Sequence, residues 1–129
     1  MIVFDASAAV CFLLNDPPAR AVAIGDRIRG DQLCAPHLLD LEVAQTLRRS
    51  VFAGALGADR AKLILTRLAE SPIIRYPHYA FLARIWQLRA NLSAYDAAYV
   101  SLAEMLRAPL VTLDARMARA GSQATIEVL

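Results

Sequence analysis

The sequence predicts an α/β fold, a parallel sheet of about five short strands with helices on both faces. Three observations carry this. Five short apolar stretches recur along the 129 residues: IVF, QLCAP, IIRY, PLVTL and TIEVL. The segments between them read as helices rather than as tight hairpin turns, the pattern of βα units in a parallel sheet. Aspartates follow the first and fourth stretches, where such sheets place their functional groups, beyond the strand carboxyl ends.

Taken in order, IVF is a short buried strand, and the apolar run after Asp5 continues as a helix over 8–14, with Ser7 as its N-cap. DPPARAVAIGDRIRG forms a second helix, with Pro17 and Pro18 at its start and Gly30 past its end. QLCAP is a strand closed by Pro36, and a long helix runs from Leu38 to about Gly54. ADRAKLILTRLAES gives its helical partner, with Leu63, Ile64, Leu65 and Leu68 on the apolar side. IIRY is closed by Pro77; HYAFLARIWQLRANL and SAYDAAYVSLAEMLR read as two further helices. PLVTL, a short helix in ARMARAG and the strand TIEVL complete the chain.

The length suits one domain with a real core, taken as residues 1–129. The apolar share of 57% exceeds what so small a chain easily hides, so a partner surface is expected. The longest near-continuous apolar run, 6–14, is too short to span a bilayer and has an acid rather than a basic residue before it. The expectation is a cytoplasmic protein with no membrane role. Cys11 and Cys34 lack CxxC spacing and read as buried free thiols, not zinc ligands. The net charge of +2 comes from 13 arginines and Lys62 against 12 acids, compatible with a phosphate-bearing partner.

Four acids stand among small or apolar neighbours: Asp5, Glu42, Asp96 and Asp114. Asp5 and Asp114 end strands, Glu42 lies early in the long helix, and Asp96 near a helix start. If they converge, each like-charge pair about 5 Å apart costs roughly 3 kcal/mol at an effective dielectric near 20. A divalent cation removes that cost, and all-oxygen ligands suit Mg²⁺ or Mn²⁺ rather than Zn²⁺. Such an ion acidifies a bound water, and the natural reaction is phosphodiester hydrolysis. Ser7 and Thr112 stand two residues from Asp5 and Asp114, placed to orient a carboxylate or water. Taken singly, each acid has a lesser reading: Asp5 as a cap of the first helix, Asp96 as an acid in a first helical turn, and Glu42 as a solvated helix acid pairing with Arg49 or Thr46.

With VFDASAAV, LEVAQTLRR, LSAYDAAYVSLAE and LVTLDARMARAG at these spacings, the chain resembles the PIN-domain nucleases, in particular the VapC-type toxins of bacterial toxin–antitoxin pairs. The resemblance implies a three-layer α/β/α sandwich and a Mg²⁺- or Mn²⁺-dependent endoribonuclease that arrests translation. It implies an acidic site of Asp5, Glu42, Asp96 and Asp114, with Ser7 and Thr112 at the family's small polar positions. It also implies a homodimer and a cognate VapB-like antitoxin, whose tail lies in an apolar groove; the helices over 38–53 and 58–69 are the candidates. Many members carry a further acid shortly after the last aspartate; here Arg116, Met117 and Arg119 fill that stretch, and Arg116 is the best candidate to hold phosphate.

Other residues are set aside. Asp40 is turned about 200° from Glu42 on a helix, and Glu104 lies too far along its helix from Asp96. His37 and His78 have no metal-ligand spacing. Trp86, Tyr76 and Tyr79 read as core or interface residues before base-stacking ones. A haloacid-dehalogenase-type phosphotransferase needs an acid where Ser7 stands, and a receiver domain needs a late lysine. A non-catalytic module of the same fold remains the alternative to a nuclease, toxin or not.

Overall fold

The structure, a computed structural model, describes all 129 residues. Its elements are β1 (Ile2–Phe4), α1 (Ala6–Leu14), α2 (Pro18–Ile28), β2 (Leu33–Pro36), α3 (Leu38–Phe52), α4 (Ala58–Glu70), β3 (Ile74–Tyr76), α5 (Leu82–Gln87), α6 (Ala94–Leu106), β4 (Leu110–Thr112) and β5 (Ile126–Val128). The five strands form one parallel sheet in the order β3-β2-β1-β4-β5.

This order fixes where the layers and the site lie. From β1 the chain steps outward to β2 and β3, then crosses back to β4 and on to β5. Right-handed crossovers therefore put α1–α4 on one face and α5–α6 on the other. The direction of travel reverses between β1 and β4, which pair through Val3 with Leu110 and Phe4 with Val111. A crevice opens beyond the carboxyl ends of strands at such a switch point. The residues that come next there are Asp5 and, two past the end of β4, Asp114.

The central strands are dry: Ile2, Val3, Phe4, Leu110, Val111 and Thr112 are all buried. Helix α6 is buried at every residue from Ala97 to Ala103, because it packs on β1, β2 and β4 and is covered by α5. The outer helices are one-sided: α4 buries Ala61, Ile64 and Leu68, spaced at three and four residues. Both cysteines are buried and free, as the sequence suggested.

Three local expectations are corrected. Helix α1 begins at Ala6, and its N-cap is Asp5, not Ser7; the Asp5 carboxylate accepts the Ala8 amide at 2.9 Å. The Ser7 hydroxyl is engaged instead with Asp5 and with the amide of Leu113. The stretch HYAFLARIWQLRANL is a 3-10 turn (His78–Phe81) and a six-residue α5, not one long helix. Its last turn tightens as the Leu88 amide is shared between the carbonyls of Arg84 and Ile85. ARMARAG forms only a 3-10 turn at Met117–Arg119.

Candidate active site

Asp5 is 5% exposed, one of three buried polar residues in the chain. A buried carboxylate needs donors, and the fold supplies three. Oδ1 accepts from the Ala8 amide at 2.9 Å and from Ser7 Oγ at 2.7 Å; Oδ2 accepts from Thr112 Oγ1 at 2.6 Å. Thr112 in turn accepts the Asp114 amide at 2.9 Å, and Ser7 accepts the Leu113 amide at 3.0 Å. The two hydroxyls thus stitch β1 to the turn after β4. Desolvation still pushes the Asp5 carboxyl above its ordinary range; the three donors oppose this, and the charge of Asp96 adds to it.

Asp96 stands in the first turn of α6, its amide capped by Ser93 Oγ at 3.1 Å. Its carboxyl is raised by burial and by Asp114, against the pull of Ser93 and Arg116. Glu42 enters from α3, half-buried, and is raised by burial and by the charges of Asp96 and Asp5. Its Oε1 is buried with no completed hydrogen bond, and the same is true of the Tyr99 hydroxyl. The two groups are close enough for Tyr99 to favour the charged form of Glu42. Burial, then Glu42, hold the Tyr99 phenol far above its usual range, so it stays a neutral donor. Sequence reasoning missed Tyr99. Its signal was the spacing in YDAAY, which puts it three residues after Asp96 on one helix face.

Asp114 differs from the other three. It is held below its ordinary value by Arg116, whose Nη2 and Nε reach Oδ2 and Oδ1 at 2.6 and 3.0 Å. The Arg116 amide also donates to Oδ1 at 2.9 Å. The four sequence-predicted acids therefore lie on one rim, linked through Asp96, which raises Asp5 and Glu42 and is raised by Asp114. No three His, Cys, Asp or Glu side chains stand close enough together to enclose an ion.

The residues set aside lie in other settings. Asp40 pairs with Arg75 at 2.9 Å, and Glu104 with Arg84 at 2.6 Å. Thr46 bonds the backbone carbonyl of Glu42, and no pair joins Glu42 to Arg49. Trp86 and Tyr79 are 68% and 73% exposed, so neither is a core residue, and Arg89 lies over the Trp86 ring. At the start of α6, a hollow of about 240 Å³ is lined by Leu38, His78, Leu82, Ile85, Tyr95 and Ala98, with Ala94. No helix is long and apolar enough to cross a membrane.

Comparison with known proteins agrees with this architecture. Ribonuclease VapC9 of Mycobacterium tuberculosis is 46% identical over 121 residues, covering 94% of this chain and 91% of that one. Ribonuclease VapC12 of the same organism is 38% identical over 130 residues, covering 100% and 99%. In fold the chain is similar to the crystal structure of Mycobacterium tuberculosis VapC20, a sarcin-ricin loop cleaving toxin, with a TM-score of 0.71 at 15% identity over 95% of this chain and 96% of that one. The PIN domain model matches residues 2–123. A parallel sheet with its acids at the β1–β4 switch point, matched along nearly its whole length, places this chain in the PIN-domain family, among the VapC ribonucleases.

Proposed function

We propose that this protein is a Mg²⁺- or Mn²⁺-dependent endoribonuclease toxin, hydrolysing RNA phosphodiester bonds at the rim formed by Asp5, Glu42, Asp96 and Asp114. One observation carries the reading. Three of these carboxyls, Asp5, Glu42 and Asp96, are raised by burial and then by the charge of another of the four, and a buried Glu42 oxygen lacks a partner. Such a cluster asks for a cation, and its all-oxygen donor set suits a hard divalent one. Bound there, the ion supplies an acidified water and a counter-charge for the phosphate.

Each residue has a part. Asp5, fixed by Ala8, Ser7 and Thr112, is the rigid ligand. Glu42, Asp96 and Asp114 complete the set, with Tyr99 steadying Glu42. Ser7 and Thr112 orient Asp5, and Arg116 is placed to meet a phosphate oxygen. Tyr95, 66% exposed beside Asp96, offers a face for an adjoining base.

A VapB-like antitoxin belongs to the reading. Helix α3 exposes Leu41 and Phe52 at 74% and 77%, and α4 exposes Leu63, an apolar surface where an antitoxin tail can lie. The exposed Tyr79, Leu82 and Trp86 favour a homodimer. Free buried cysteines and an RNA substrate fit the reducing cytoplasm.

The test is expression without the partner. The parent should arrest growth and cut RNA only with Mg²⁺ or Mn²⁺, and Asp96→Asn should do neither. Equal toxicity from both would overturn the catalytic assignment, and no cleavage or arrest from either would favour a silent module of the same fold.

A further inference from the structure

The cation that the acidic rim contains is its own. Arg116 covers both oxygens of Asp114, with Nε at 3.0 Å from Oδ1 and 3.1 Å from Oδ2, and Nη2 at 2.6 Å from Oδ2. The Arg116 amide takes a further lone pair of Oδ1. A metal ion and this guanidinium therefore need the same lone pairs. The arginine is also the part free to move: its side chain is 83% exposed, whereas that of Asp114 is 22% exposed. Arg116 is the N-cap of the Met117–Arg119 turn through its backbone alone, so its side chain can swing without unfolding that turn.

We propose that Arg116 is an exchangeable counter-ion for the metal site. It neutralises Asp114 when no divalent ion is bound, yields Asp114 to the ion, and is then released towards the RNA phosphate. The inference rests on the proposed metal-dependent site and adds a function to it. Asp114 occupies the Nε–Nη2 edge of the guanidinium, so while that pair stands a phosphate meets at most the Nη1 side. An ion that takes Asp114 therefore frees Arg116 for the substrate, and the two ligands strengthen each other's binding. By linkage the effect is reciprocal, RNA raising metal affinity by the same factor.

The test is Mn²⁺ titration by calorimetry on the full chain without RNA, for the parent, Arg116→Ala and Arg119→Ala. Arg119 is exposed on the same turn and makes no ion pair, so its removal measures only the loss of one nearby positive charge. Arg116→Ala should bind Mn²⁺ about fivefold more tightly, a modest factor because the ion pair is solvent-exposed. Arg119→Ala should shift the affinity by less than about twofold. At saturating Mn²⁺, Arg116→Ala should raise KM for a short RNA more than it lowers kcat. Equal Mn²⁺ affinity in parent and Arg116→Ala, or equal shifts in both variants, would overturn the exchange while leaving the metal site standing. An unchanged KM would overturn the phosphate role. Mn²⁺ uptake by Arg116→Ala alone would support the exchange in its strongest form. No uptake by any of the three would remove the metal site and the exchange with it.

Discussion

At the scale of residues, the proposed site rests on the unequal treatment of four acids. Asp5 is buried and hydrogen-bonded on both oxygens, Glu42 and Asp96 are half-buried, Glu42 with an oxygen short of a partner, and Asp114 is paired with arginine. Asp96→Asn removes charge from the centre of the cluster. Without metal it should raise Tm by about 4 °C, or roughly 1 kcal/mol, while cleavage falls at least about a hundredfold. Parallel melts in EDTA and cleavage assays in Mg²⁺ check this; a lower Tm would contradict the mutual repulsion. The sign follows from linkage. The Asp96 carboxyl is raised in the fold, so its charge opposes folding above its ordinary value and the strain eases as pH falls through the raised one. Thr112→Val keeps the shape but leaves Asp5 Oδ2 without its 2.6 Å donor. Urea denaturation should show a loss of about 1–3 kcal/mol.

At the scale of elements, the acids were legible because each sits at a boundary the sequence announces, a strand end or a helix start. Tyr99 was not, because an aromatic residue inside an apolar helix reads as packing, and only the sheet order brings Glu42 of α3 and Tyr99 of α6, from opposite faces, to one rim. The cap of α1 was misplaced by two residues because Asp5 was read chiefly as a ligand, whereas one carboxylate both caps and faces the rim. The helix around Trp86 was overextended because its apolar spacing continues past Gln87, where the backbone tightens into turns. Away from the site, Glu104 ties α6 to α5 through Arg84 at 2.6 Å and to the approach to β5 through the Gln123 amide at 2.9 Å. Its carboxyl is lowered by Arg84 foremost. Glu104→Gln should cost about 1–2 kcal/mol at pH 7. The difference should shrink as pH falls below about 4.3, the unfolded value, and vanish below the depressed folded one. Denaturation at pH 7 and pH 3 reads this directly.

At the scale of the whole molecule, the parallel sheet with its β1–β4 switch point gathers acids 109 residues apart in sequence, from Asp5 to Asp114, and leaves apolar helix faces outside. Leu41 and Phe52 are exposed on α3, so Leu41→Ser with Phe52→Ser should weaken antitoxin binding at least about tenfold while RNA cleavage by the free toxin is unchanged; pull-down and cleavage assays separate the two. The layers were readable through strand and helix alternation, and the helices over 38–53 and 58–69 could be named for a groove, but not which of their apolar residues stay outside, because an apolar residue in a helix does not declare which side it will face. The most direct measurement is Mn²⁺ binding by calorimetry to the parent, Asp5→Asn and Asp96→Asn, each first shown to be folded by circular dichroism. A single rim of carboxylates predicts saturable uptake by the parent and at least about tenfold weaker uptake by each variant; equal uptake by all three, or none by the folded parent, would contradict it.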